Sequence, residues 1–343
     1  MNKYIYILLI LLSVAVVSCS VPFDLDLDDE PLIYLASFPG EDAEVVTFDV
    51  RPAYSKSNSA LKPDFKPEIK FMVNGERIPV ALNTDKRISD RYRESYYIAD
   101  YSSKPGDRMS IEVSSEGFKT IYAETVVPKS FPDRKIDFRH EVYGKDEYNV
   151  LSVSLNDDED DDYAYGLQIL EESCYYFPDT THVNQYRKHG EQMSHYYDLA
   201  SVSLEGIRLE INNYYVSAWD DDMFNGNSTE LSVVLPHYTY NDSDSYDEFL
   251  GFEAYRDYYD EEGNVLFQYR YTSRNKLILY TMSKECYKYK LAEELISDNS
   301  DFVAGLAPAN FCYSNIENGY GAFAGLSVVE TDWITREFIE NNR

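Results

Sequence analysis

The stretch EIKFMVNGERIPVAL, residues 68–82, constrains the fold more than any other part of the chain. Asn74-Gly75 is the strongest kind of short-range hairpin signal, because a type I′ turn needs positive φ at both central residues. Ile69, Phe71 and Val73 alternate before the turn; Ile78, Val80 and Leu82 alternate after it. Alternation on both sides predicts two antiparallel strands with one buried face. The same rhythm recurs in LIYLASF (32–38), EVVTFDV (44–50), SYYIADY (95–101), residues 109–113 and KTIYAETVV (119–127), with turns at Pro105-Gly106 and Glu116-Gly117. Seven such strands fit an immunoglobulin-like β-sandwich over residues 31–128. No cysteine pair or strand tryptophan marks a true antibody-type domain, so the expectation concerns architecture alone.

A chain of 343 residues is long enough for a second core. Residues 135–343 are expected to form a larger β-rich domain with at least one helix. IDFRHEVY, residues 149–155, YAYGLQIL (163–170), IRLEINNYYVSAW (207–219) and STELSVVLP (228–236) read as strands. Residues 265–273 and 276–283 read as a strand pair, and 171–200 as a long excursion without periodicity. The helix begins where Ser283 can cap it, and Tyr287, Leu291 and Leu295 recur at four-residue spacing through Ile296. The acidic run NDDEDDD (156–162) reads as a solvated loop. The whole chain is thus mainly β. Its 33 tyrosines agree, since a tyrosine on a pleated surface packs its ring and wets its hydroxyl.

The N-terminus says where such a chain resides. Lys3 precedes an apolar run from Ile5 to Val17, 13 residues broken only by Ser13. That falls short of the roughly 20 residues needed to span a bilayer as a helix. A basic start, a short apolar run and small residues before a cut site make an export signal, assigned to residues 1–18. Cys19 stands where the apolar run stops, after Val16, Val17 and Ser18. This resembles a bacterial lipobox, in which the cysteine becomes the first mature residue and is acylated; Val16 replaces the usual leucine. Acyl chains contribute about 0.8 kcal/mol per buried CH₂, and several together anchor stably. Residues 19–30 form an acidic tether. Its Asp24, Asp26 and Asp28 alternate like calcium ligands, but the turn glycine of a calcium loop is missing.

The formal charge of −30 excludes one class of function. Such a surface repels phosphate backbones and anionic headgroups, so nucleic acid is not an expected partner and membrane attachment must be covalent, through Cys19. If Cys19 carries lipid, Cys174, Cys286 and Cys312 remain, leaving room for at most one disulfide.

Several motifs together carry a family resemblance: the VNG hairpin (73–75), the segment from Pro105-Gly106-Asp107 to Val127-Pro128-Lys129, DMFNG (222–226), YKYKLAEEL (287–295) and SNIENGYGAFAG (314–325). Over residues 19–335 the chain resembles a Bacteroidota outer-membrane lipoprotein family, domain-of-unknown-function four-two-four-nine. Asn315 to Gly319, with Gly321, Phe323 and Gly325, match its C-terminal signature; Tyr320 stands where the family often has an apolar residue. The resemblance implies an outer-membrane lipoprotein, frequently encoded beside TonB-dependent receptors. It implies no catalytic or binding residues.

The chain has no glycine-rich phosphate loop, no G-x-S-x-G elbow and no H-E-x-x-H. Three of five histidines, His182, His189 and His195, fall close together, but their spacing matches no standard metal site. No cofactor, metal site or catalytic residue is assigned, and the protein is expected not to be an enzyme. The expected function is a lipid-anchored, outer-membrane, surface-exposed binding accessory to a TonB-dependent transporter. The alternatives are an adhesion or assembly lipoprotein and, behind that, a surface hydrolase.

Overall fold

The computed structural model describes residues 31–342 except 42, 55–63, 84–95, 132–133, 144–145, 157–161, 179–185, 189–192, 197–206, 212–213, 225, 236–251, 260–262 and 299–312. Among the described residues the molecule is mainly β, with a principal helix. Cys19, the export signal and the acidic tether lie outside the described residues, as do His182, His189, His237, Cys312 and nearly all of the NDDEDDD run.

The N-terminal part holds eight strands: β1 (Leu32–Ser37), β2 (Val46–Ala53), β3 (Glu68–Val73), β4 (Glu76–Ile78), β5 (Val80–Leu82), β6 (Tyr96–Ala99), β7 (Arg108–Ser114) and β8 (Ile121–Val126). The expected hairpin is present. Asn74 and Gly75 have φ of 50° and 86°, and Val73 pairs with Glu76. The strand after the turn does not run straight through, as its alternation suggests. Pro79 divides it, so that Ile78 pairs with Phe71 in one sheet while Val80 pairs with Ala99 in the other. A proline has no N–H to continue the ladder, and the chain changes sheets there. The two sheets, β4-β3-β7-β8 and one containing β1-β2-β6-β5, face each other as a sandwich. Between them lie Leu35, Phe48, Phe71, Ile111 and Ile121, all essentially inaccessible to solvent. Phe48 meets Phe71 edge-on, with ring centroids 5.0 Å apart.

The second part contains β9 (Arg134–Tyr143), β10 (Asp146–Asn156), β11 (Tyr163–Pro178), β12 (Tyr186–Lys188), β13 (Met193–Tyr196), β14 (Ile207–Ile211), β15 (Tyr214–Trp219), β16 (Ser228–Leu235), β17 (Phe252–Tyr259) and β18 (Val265–Ser283). Then come helix α1 (Lys284–Asp298), β19 (Tyr320–Phe323), β20 (Leu326–Glu330) and helix α2 (Arg336–Asn342). The residues expected to form a pair at 265–283 form one continuous strand of 19 residues. The reason is local: Ser273-Arg274-Asn275 carries no glycine or proline, and β11 runs alongside in unbroken register from Tyr163↔Ser283 to Tyr176↔Arg270. Residues 171–178, expected to open an excursion, instead prolong β11, and β12 and β13 pair back onto it.

β11 and β18 lie at the centre of an eight-stranded sheet that is covered on both faces. This is why LILYTM and AYGLQIL are apolar almost without alternation. One face, with Leu167, Ile169, Leu277 and Leu279, packs against the sheet β16-β10-β9. The other, with Ala164, Ile278, Tyr280 and Met282, packs beneath α1 through Cys286, Tyr287 and Tyr289. Ser283 caps that helix as expected: its Oγ accepts the Cys286 N–H at 3.2 Å. Gln168, a buried polar side chain in the central strand pair, accepts from Tyr280 Oη at 2.9 Å and donates to the Tyr215 carbonyl at 2.9 Å.

Candidate functional site

The motifs that carry the family resemblance are all used to build the fold. In the Pro105-Gly106-Asp107 turn, the Asp107 carboxylate accepts from Tyr101 Oη at 2.7 Å, Lys104 N–H at 2.9 Å and Asn74 Nδ2 at 2.8 Å. Burial alone raises the pKa of such a carboxyl. The three donors outweigh it and hold Asp107 below the ordinary carboxylate range. In DMFNG, Phe224 is buried against Tyr165, with centroids 5.6 Å apart.

SNIENGYGAFAG does the most. β19 joins the edge of the N-terminal sheet, parallel to β1, with Leu35 opposite Gly321 and Ser37 opposite Phe323. It completes the five-stranded order β19-β1-β2-β6-β5. Its two faces serve two cores: Phe323 enters the sandwich with Phe48 and Phe71, while Ala322 enters the core beneath α1. Just upstream, Glu317 exchanges both backbone hydrogen bonds with Tyr122 of β8, at 2.8 and 3.3 Å. The segment therefore closes the open side of the sandwich between β1 and β8. It then continues into β20, which pairs with β18 from Met282↔Leu326 to Ile278↔Glu330. Tyr320, the departure from the family pattern, meets Tyr34 with centroids 6.0 Å apart.

Beside this seam lies a cleft of about 720 Å³ between the outer face of β7–β8 and the first turn of α1. Arg108, Tyr122 and Glu124 form one wall. Asp162, Lys284, Glu285 and Tyr313 form the other, and Asn315 and Glu317 also line it. The strand period places Tyr122 and Glu124 outward, while Ile121 and Ala123 point into the sandwich. Tyr122 Oη donates to Glu124 Oε2 at 3.1 Å, which raises the phenol's pKa. Lys284 Nζ lies 2.5 Å from Asp162 Oδ1, and this contact raises the ammonium's pKa. Burial does the same to the Tyr313 phenol. Arg108, Glu285 and Glu317 form no ion pair among the described residues. The cleft thus presents oriented phenols and both signs of charge. Its described lining contains no histidine or cysteine.

None of these residues was identifiable from sequence as a site. They come from positions 108 to 317 and share no motif spacing. Cys19, the one site assigned from sequence, lies outside the described residues, as do the side chains of His140, His195 and Cys174. Cys286, in the first turn of α1, is a free thiol, completely buried against the sheet, and burial pushes its pKa up to about 12. Among the described residues no helix is long and apolar enough to cross a membrane, and no group of three or more His, Cys, Asp or Glu side chains is placed to hold a metal ion.

No curated protein matches the chain. Among solved structures, one described as the manganese lipoxygenase of Gaeumannomyces graminis with part of the zonadhesin of Komagataella pastoris is 10% identical. The match covers 75% of this chain and 78% of that chain with a TM-score of 0.18, a superposition too poor to transfer anything. The profile described as "Domain of unknown function (DUF4249)" matches residues 20–332, nearly the whole chain beyond Cys19, and the chain belongs to that family.

Proposed function

We propose that the protein is a lipoprotein of the outer membrane, held through acyl chains on Cys19 and facing the cell exterior, where it serves as a non-catalytic binding accessory to a TonB-dependent nutrient transporter. The observation that carries this reading is the junction at Cys19. The 13-residue apolar run ends there, and the family match opens at residue 20. A chain that carries acyl groups on such a cysteine needs no membrane span to stay at a membrane. The cleft supports a binding role: it offers hydrogen-bonding groups of both signs and a tyrosine ring to a ligand.

The test is made on protein purified from native membranes. Mass spectrometry is expected to find acylated Cys19 as the first residue, and Cys19→Ala to move the protein out of the membrane fraction. Crosslinking in intact cells is expected to recover a TonB-dependent receptor. An unacylated mature terminus, or crosslinks that recover no receptor, overturns the reading.

A further inference from the structure

Resting on that binding role, we propose that the cleft between β7–β8 and the start of α1 binds a neutral, hydroxyl-rich saccharide. At about 720 Å³ it lies within the range of roughly 300–1,000 Å³ usual for small-ligand sites. Its charges decide the ligand class. Arg108 and Lys284 share the cleft with Glu124, Asp162, Glu285 and Glu317. An anionic ligand would meet four carboxylates on a protein of net charge −30, and a cationic one would meet a guanidinium and an ammonium. A ligand with many hydroxyls suits both sets at once: each hydroxyl donates to a carboxylate and accepts from Arg108 or Lys284.

The aromatic wall agrees. Tyr122 is 40% exposed and the nearby Val126 39%, on the same outward face of β8. The bond from Tyr122 Oη to Glu124 fixes the ring's direction and leaves apolar surface for the C–H face of a pyranose. A small zwitterion fits less well. The ion pair already in the cleft is half-exposed, and exposed pairs contribute at most about 1 kcal/mol. Affinity here must come from many hydrogen bonds and a packed ring, which an oligosaccharide supplies and an amino acid does not.

The experiment uses the full-length lipidated protein in detergent, titrated calorimetrically with maltotriose, cellotriose, xylotriose and mannotriose, and with hexalysine and heparin for comparison. At least one neutral trisaccharide is expected to bind saturably. Tyr122→Ala and Arg108→Ala are each expected to weaken it by about tenfold, the scale of one lost aromatic or charge-assisted contact, with an unchanged melting temperature. Tyr122→Phe, which keeps the ring, is expected to lose much less. The inference falls if no trisaccharide binds, if both alanine variants bind as the wild type does, or if only hexalysine or heparin binds. The two proposals fail separately. Receptor crosslinking without saccharide binding removes this inference alone, whereas saccharide binding that depends on Tyr122 without acylation of Cys19 removes the membrane role alone.

Discussion

Asn315 holds Phe323 by both backbone groups: its Nδ2 donates to the Phe323 carbonyl at 2.7 Å, and its Oδ1 accepts the Phe323 N–H at 3.0 Å. The side-chain amide thus acts as one more rung of a ladder at the free edge of β19. It fixes Phe323 at the point where that ring enters the sandwich core.

Replacing the amide removes both bonds. Asn315→Ala is expected to cost about 2 kcal/mol, at roughly 1 kcal/mol for each bond. Asn315→Asp keeps the acceptor but leaves the Phe323 carbonyl without its donor, so it should fall between alanine and wild type or below both. Urea unfolding at neutral pH measures the series, and an unchanged midpoint for Asn315→Ala would show that the clamp is dispensable.

Gly321 faces a stricter limit. Its φ is 114°, and a Cβ there would overlap the Leu35 carbonyl of the adjacent strand. Gly321→Ala therefore combines backbone strain with a clash against main chain that cannot swing aside. The expected loss is on the order of 3 kcal/mol or more, read as a fall in melting temperature or in soluble yield.

The Tyr101–Asp107 pair makes stability depend on pH at both extremes. The Asp107 pKa is depressed in the folded protein, so its contribution is present above the unfolded value near 4 and is lost as pH falls below it. The Tyr101 phenol is pushed up to about 12 by burial and by Asp107, so its contribution is lost as pH rises from about 10 toward that value. Asp107→Asn should cost about 1–3 kcal/mol at pH 7, and the gap from wild type should narrow below pH 4. The gap for Tyr101→Phe should narrow above about pH 10. Urea midpoints across the pH range check both; parallel curves would refute the coupling.

Cys286 should be inert in the native state. It is fully buried, and its thiol is held protonated far above neutral pH. Iodoacetamide at pH 8 is expected to label it only after urea is added, as read by peptide mapping. Rapid native labelling would mean that α1 lifts off the sheet.

The parts of this fold that were legible in the sequence are those whose cause is local. Asn74-Gly75 announces its turn because two adjacent residues must take positive φ, and Ser283 announces α1 because its hydroxyl serves an amide three residues on. Pro79 was visible but its effect was not, since alternation continues across it and only the change of sheet breaks the strand. The continuity of β18 was not legible, because apolar strands buried on both faces give no periodicity from which to place a break. β19 could be seen as a glycine-rich signature, but nothing near it names Leu35, nearly 300 residues away, as its neighbour. The cleft was hidden for the same reason: Arg108, Tyr122 and Lys284 become neighbours only through that seam.

The late arrival of β19 has a consequence for how the chain matures. A polypeptide synthesised from its N-terminus presents β1 through β8 long before residue 323 is added. During that interval Phe48, Phe71 and the β1 margin lack their last neighbour, and an unfinished apolar rim is what misassociates with other chains. Completion of the front half therefore waits for the tail, and a C-terminally truncated chain would be defective at its far end as well as at the cut.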